Sequence, residues 1–176
     1  MRSPDPEANF ADRVKVVVHA LTAHHVDCVI IGGVAVAAHG SAYLTRDFDI
    51  AYFHDRDNIR RIVAALAPLH PLLRVPGSDE GVPFPFDEHT LYNGGNFTLK
   101  TDVGDVDILA HVGGFFNYAE IKSMSQTLEL YEREMLVLSV EGLIRAKKAA
   151  NRIKDQLVLP ELEVLLEAEK RQREQS

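Results

Sequence analysis

Cysteine is nearly missing from this sequence, because Cys28 is the only one among 176 residues. A single cysteine excludes an internal disulfide framework and zinc sites built from cysteine pairs. The eight histidines show no His-x3-His spacing either, so we expect no zinc site. Cys28 lies in the apolar run Cys-Val-Ile-Ile, which indicates a buried, unreactive thiol and fits a reducing, cytoplasmic compartment.

Long apolar runs and an excess of basic residues are also missing. No stretch approaches the roughly 18 to 20 apolar residues of a membrane-spanning helix, and the first eight residues are polar and proline-containing rather than leader-like. Lysine and arginine number 19 against 26 acidic residues, a net charge of -7, which disfavours non-specific adhesion to nucleic acid or anionic membranes. Aromatic residues are not interleaved with basic ones, so no base-stacking platform is indicated.

What is present supports one sizeable core, since 46% of the residues are hydrophobic. We expect a single domain over 1–176, with 1–8 disordered and a helical C-terminal part at 140–176. The hydrophobic periodicities predict an α/β (α+β) fold. Predicted helices cover 9–24, 34–39, 56–69, 140–151 and a last helix begun by Pro160, whose tail frays from Glu167. Predicted strands cover 26–31, 47–53, 97–101, 105–110, 127–131 and 135–140, and 76–96 is interpreted as a long irregular segment with one short helical turn.

Two aspartates, Asp47 and Asp49, are the first candidate functional residues. Residues i and i+2 of a strand project to the same side, about 6 to 7 Å apart at the backbone. Carboxylates so placed can share divalent cations, which prefer oxygen ligands. Asp107, in a later predicted strand, is the candidate for a third acid, and Asp105 is its rival because it shares the same face.

A glycine pair precedes these acids. Gly32 and Gly33 follow a predicted buried strand, and backbone N–H groups after such a turn can approach phosphate oxygens without a side chain in the way. The alternative interpretation is a simple tight turn.

The order of these features resembles a known family. The pattern consists of Gly32-Gly33, Ala35, His39-Gly40, Thr45, Asp47-x-Asp49-Ile50 and Val106-Asp107-Ile108-Leu109. It looks like the nucleotidyltransferase superfamily with the DNA polymerase β-like catalytic fold. The segment from Leu143 to Asp155 further resembles small bacterial proteins related to the abortive-infection nucleotidyltransferase toxins.

This resemblance implies a mixed β-sheet flanked by helices, with a C-terminal helical segment, and a role for each motif residue. Asp47, Asp49 and Asp107 would be catalytic and would hold Mg²⁺, two ions when the nucleoside triphosphate is bound. The nucleotide-binding residues would be Gly32, Gly33, Thr45, Lys147 and Arg152. One departure concerns Tyr43, where relatives commonly carry arginine; Arg46 is the candidate to reach the same region.

Three functions remain open from the sequence. The first is transfer of a nucleoside monophosphate to a hydroxyl acceptor such as RNA, a tRNA end or a protein, as the toxin-like branch suggests. The second is modification of a small molecule, as in antibiotic-modifying nucleotidyltransferases. The third is a non-catalytic domain that binds a nucleotide or an antitoxin-like partner protein. None of the three calls for a membrane.

Overall fold

The computed structural model describes residues 9–43 and 45–176, so the expectation for 1–8 lies outside the described residues. The helices are α1 (Phe10–Ala23), α2 (Gly32–Ala38), α3 (Arg56–Leu66), α4 (Glu88–Gly94), α5 (Tyr118–Ser123), α6 (Val140–Ala150) and α7 (Ile153–Glu174). The strands are β1 (Cys28–Ile31), β2 (Asp47–Tyr52), β3 (Leu72–Val75), β4 (Ser78–Val82), β5 (Phe97–Thr101), β6 (Gly104–Leu109), β7 (Ser125–Leu130) and β8 (Arg133–Leu138). None of the described helices is both long and apolar enough to cross a membrane.

All eight strands join one mixed sheet in the order β4-β3-β5-β6-β2-β1-β8-β7. The pairs β2 with β6 and β1 with β8 are parallel, whereas β1 with β2 and β5 with β6 are antiparallel. The predicted mixed α/β fold with a helical C-terminal segment is therefore confirmed. Because β6 runs parallel to β2 as its immediate neighbour, acids of the two strands can lie side by side.

The two faces of the central strands differ in burial. On β2, Phe48 and Ile50 are buried and alternate with the half-buried Asp47 and Asp49. The alternation continues on β6, where Val106 and Ile108 are buried. This period of two directs one face of each strand into the hydrophobic core and leaves the acidic residues on the other.

Polar side chains cap the starts of two helices. The carboxylate of Asp55 accepts a hydrogen bond of 2.7 Å from the Asn58 backbone N–H and starts α3. The hydroxyl of Ser139 accepts one of 3.1 Å from the Gly142 N–H and starts α6. Such caps satisfy N–H groups that have no partner within the helix.

The interpretation of 76–96 as an irregular segment was wrong for its first part, whereas the predicted short helical turn is present. Ser78–Val82 forms β4, an edge strand paired with β3, and Glu88–Gly94 forms the two-turn helix α4. The prolines of this segment lie between these elements, where they interrupt no strand pairing. The edge strand β4 is polar and shows no alternation of apolar residues, so the sequence pattern did not predict it.

The predicted start of the last helix was also wrong. Helix α7 begins at Ile153, because the Asp155 carboxylate accepts a hydrogen bond of 3.1 Å from the Arg152 backbone N–H there, and Pro160 lies inside the helix. The helix extends past Glu167 to Glu174. Ion pairs at i,i+3 and i,i+4 spacing, Lys170–Glu167 and Arg173–Glu169, both 3.9 Å long, support this charged end, which the sequence predicted to fray.

Candidate active site

The structure brings the three predicted acids together in one cavity. In the parallel pair of β2 and β6, Asp49 lies directly opposite Asp107, and Asp47 lies opposite Asp105. Strands β1 and β2 place Ile31, the residue before the glycine pair, opposite Asp49. The resulting cavity of about 230 Å³ is lined by residues that include Asp47, Asp49, Asp107, Gly32, Gly33, Thr45, Lys147 and Arg152. All eight residues predicted to be catalytic or nucleotide-binding therefore border the same space.

The acids at this cavity affect each other's protonation. Burial, together with the negative charges of Asp107 and Asp47, raises the pKa of Asp49 to about 7. Burial also raises the pKa of Asp107, although the nearby Arg74 guanidinium opposes this effect. Because Asp49 lies opposite Asp107 in the paired strands, the negative charge of Asp107 opposes ionisation of Asp49.

Arg74, on β3, contacts the acidic cluster directly. Its Nη2 donates to Asp107 Oδ1 at 2.6 Å, and its Nη1 donates to Asp105 Oδ2 at 2.7 Å. Nη1 also lies 3.8 Å from Asp47 Oδ1. A single guanidinium thus donates hydrogen bonds to two carboxylates and places its positive charge near a third.

The donor set suits Mg²⁺ chemically, because hard cations prefer oxygen ligands such as carboxylates. In the described part of the chain, however, no three His, Cys, Asp or Glu side chains are already arranged to hold a metal ion. Arg74 donates a hydrogen bond to Asp107 and lies 3.8 Å from Asp47. The predicted role of Asp47, Asp49 and Asp107 as metal ligands stays a prediction.

The glycine pair has a steric explanation at each position. Gly32 has a φ of +67°, and a Cβ there would collide with Asp49 Oδ2. A Cβ on Gly33 would collide with the Thr45 side chain. The Thr45 Oγ1 in turn accepts a hydrogen bond of 3.3 Å from the Asp47 backbone N–H at the start of β2. The glycines let β2 and its acids approach the turn closely, and their predicted contact with phosphate stays a prediction.

Alanine at Gly32 is expected to be strongly destabilising and to displace the Asp49 carboxylate. The left-handed backbone costs about 1 to 2 kcal/mol for a residue with a Cβ, and the collision adds about 1 to 3 kcal/mol. Gly40 is a matched control, since it also has a positive φ of +97° but a Cβ there meets no atom within 4 Å. Chemical denaturation should give Gly40→Ala the backbone cost alone; equal losses for both variants would contradict the steric explanation.

The two predicted basic residues are held by one buried acid. Asp155 is fully buried and accepts hydrogen bonds from Lys147 Nζ at 3.1 Å and from Arg152 Nε at 2.7 Å. Burial alone would raise the pKa of Asp155, but these hydrogen bonds hold it at about 2. The positive charge of Lys147 also lowers the pKa of Asp49 and so partly opposes the effects that raise it. The basic pair therefore stands at the cavity with its orientation set by Asp155.

Solved structures with the same fold are nucleotidyltransferases. A candidate nucleotidyltransferase from Thermotoga maritima is similar with a TM-score of 0.55 and 14% identity, over 84% of this chain and 88% of that chain. The lincosamide antibiotic adenylyltransferase LnuA, solved with lincomycin bound, gives a TM-score of 0.60 and 14% identity over 87% and 96%. The antibiotic-resistance factor ANT(2'')-Ia gives 0.53 and 15% over 93% and 92%. This chain has a nucleotidyltransferase fold.

Sequence comparison alone does not reach this conclusion. No protein-family model matches the chain, and no curated protein matches it. At 14 to 15% identity the likeness to solved structures establishes the nucleotidyltransferase fold, whereas activity has to be argued from the site.

The departure at Tyr43 falls within the site of this nucleotidyltransferase fold. Tyr43 is half-buried and lines the cavity, whereas Arg46 is exposed and is not among the lining residues. The structure therefore gives no support to Arg46 as a replacement for the arginine that relatives carry near this position.

Sequence reasoning missed Arg74 and the role of Asp105 as its partner. The only signal in the sequence was the short run Leu72-Leu73-Arg74-Val75 after a proline, which has the length and apolar content of a strand. The contact itself depends on the pairing of β3 with β5 and of β5 with β6, which no local pattern encodes.

Proposed function

We propose that this protein is a metal-dependent nucleotidyltransferase that transfers a nucleoside monophosphate from a nucleoside triphosphate to a hydroxyl acceptor. The observation that carries the proposal is the meeting of Asp47, Asp49 and Asp107 in one cavity beside the glycine turn. The nucleotidyltransferase fold of the chain supports it.

Asp47 and Asp49 would hold Mg²⁺, two ions with the triphosphate, which supply charge stabilisation for the displaced phosphate oxygens. Asp107 accepts the proton of the acceptor hydroxyl, since burial raises the pKa of its carboxyl and strengthens it as a base. The hydroxyl oxygen then forms a bond to the α-phosphorus, the bond from that phosphorus to the β-phosphate bridge breaks, and pyrophosphate leaves.

The remaining predicted residues would bind the nucleotide. Lys147 and Arg152, which line the cavity, provide positive charge for the triphosphate. Gly32 and Gly33 allow close approach to the phosphates, and Thr45 positions Asp47 through the backbone.

The acceptor in the first candidate function is RNA, such as a tRNA end, or a protein. Support comes from the resemblance of the segment from Leu143 to Asp155 to toxin-like nucleotidyltransferases, and from the position of Lys147 and Arg152 at the cavity. A toxin role in the cytoplasm, with an antitoxin protein as partner, follows from the same resemblance.

A small-molecule acceptor is the second candidate. LnuA is named as a lincosamide antibiotic adenylyltransferase and ANT(2'')-Ia as an antibiotic-resistance factor, and both share the fold along most of their length. The acidic surface, with a net charge of -7, also suits a cationic acceptor better than a polyanion.

Incubation with each α-³²P-labelled nucleoside triphosphate and Mg²⁺ separates these functions. Parallel reactions contain total RNA, a lincosamide, an aminoglycoside, or the protein alone, and each is repeated with Asp49→Asn. Label on RNA or protein supports the first candidate, and label on an antibiotic supports the second. No Asp49-dependent transfer to any acceptor would contradict the proposed activity and favour a non-catalytic nucleotide- or partner-binding domain.

A further inference from the structure

Arg74 has no part in the activity proposed above, yet it makes the shortest contacts of the acidic cluster. We propose that Arg74 is a resident counter-ion of the carboxylates, which competes with the divalent ion for Asp107 and Asp47 and is anchored at the site by Asp105. This inference rests on the proposed function, because it concerns the same metal ligands.

The Arg74 guanidinium bridges the two acids of β6. Arg74 uses separate nitrogens for Asp105 and Asp107, at 2.7 and 2.6 Å, so it spans the two acids of β6 that share a face. Its approach to Asp47 at 3.8 Å extends the positive charge to the neighbouring strand. A planar cation with several donors therefore occupies the place where carboxylates from β2 and β6 converge.

The aspartates of β2 and β6 repel each other across the paired strands. Cross-strand neighbours Asp47 with Asp105 and Asp49 with Asp107 are like-charged pairs, which are destabilising when they lie directly opposite each other. The basic residues Lys147 and Arg152, which also line the cavity, are hydrogen-bonded to Asp155. Arg74 is thus the group in direct contact that offsets the repulsion before any metal ion arrives.

Competition follows from shared oxygens. A metal ion held by Asp107 and Asp47 must attract carboxylates that Arg74 already engages, and among the described residues no three ligands stand ready for it. Asp105 provides the anchor that keeps the guanidinium beside the site after Asp107 turns toward the ion. The same assignment gives Asp105 a function other than metal ligation.

Lys100 offers a matched control. It lies on β5 directly opposite Asp105, but its ammonium donates to the Asp79 backbone carbonyl and to none of the cluster's carboxylates. Lys100→Met therefore removes the same charge from the same region of the sheet without freeing a carboxylate oxygen.

The test measures Mn²⁺ binding without nucleotide, by electron paramagnetic resonance of free Mn²⁺, for wild type, Arg74→Met, Arg74→Lys and Lys100→Met. We expect Arg74→Met to bind Mn²⁺ at least threefold more tightly than wild type, with Arg74→Lys and Lys100→Met within twofold of wild type. Circular dichroism confirms folding, and Arg74→Gln replaces Arg74→Met if the methionine variant does not fold.

An unchanged or weaker affinity in Arg74→Met, or an equal gain in Lys100→Met, would overturn the role of Arg74 while leaving the proposed activity intact. Failure of wild type and every variant to bind Mn²⁺, even with a non-hydrolysable triphosphate present, would instead overturn the proposed function together with this inference. The two failures are therefore distinguishable.

Discussion

Asp49→Asn is expected to reduce nucleotidyl transfer by about 10³-fold or more while leaving the protein folded. The carboxylate of Asp49 lies at the centre of the cluster, opposite Asp107 and against the glycine turn, and an amide of the same shape cannot supply its charge to a metal ion. Initial rates with the best acceptor and saturating Mg²⁺ provide the measurement.

Asp79→Asn is the control for this loss, since Asp79 is exposed on β4 and contributes its backbone carbonyl, not its carboxylate, to Lys100. It should retain the wild-type rate. A comparable loss in the control, or near-normal transfer by Asp49→Asn, would contradict the assignment of the cluster.

Asp49→Asn should also stabilise the metal-free protein at neutral and alkaline pH. The folded state raises the pKa of Asp49 from its ordinary value near 3.8 to about 7, so ionisation opposes folding. Stability of the wild type in EDTA should fall as pH rises from about 4 through 7, because the unfolded chain loses this proton more readily. Asp49→Asn should show less of this fall, gaining on the order of a few kcal/mol at pH 8; a steeper decline in the variant would be inconsistent with the burial of this carboxyl.

The second large effect is expected at Asp155. Asp155→Asn should destabilise the protein by about 3 to 5 kcal/mol at pH 7, because it leaves the nearly buried Lys147 ammonium without its charged partner. Glu161→Gln, an exposed acid on the same helix, should change the free energy of unfolding little. Urea denaturation of both variants measures the difference.

The dependence on pH gives this prediction a sign. Contacts with Arg152 and Lys147 lower the pKa of Asp155 from 3.8 to about 2, so its stabilisation is complete above about pH 4 and is lost as pH falls through 2.

Adding Lys147→Met to Asp155→Asn should recover part of the lost stability, since no unpaired ammonium then remains buried. If the double variant is no more stable than Asp155→Asn, the stranded charge is not the cause.

The acids of the candidate site were predictable because each lies in a local pattern. Asp47 and Asp49 alternate with apolar residues, and the hairpin that contains Asp107 has a glycine turn of recognisable length. Their meeting required only that two strands with acids on one face become neighbours, which the family resemblance implied.

Other parts of the site depend on non-local pairing, so the sequence could not predict them. Arg74 reaches the acids because β3 pairs with β5, bringing Leu72 opposite Lys100, and β4 was hidden among prolines and polar residues. The start of α7 was misread for a related reason: Pro160 is typical of a first helical turn, whereas the contact between Arg152 and Asp155 starts the helix earlier.

The most direct test of the central claim is a crystal structure with Mn²⁺ and a triphosphate that cannot be cleaved between its α- and β-phosphates. Anomalous scattering at the manganese edge should place metal ions on Asp47 and Asp49, with Asp107 at the ion nearest the α-phosphate. The triphosphate should lie between those acids and the pair of Lys147 and Arg152. Manganese bound elsewhere, or a triphosphate outside the cavity beside Gly32 and Gly33, would contradict the account.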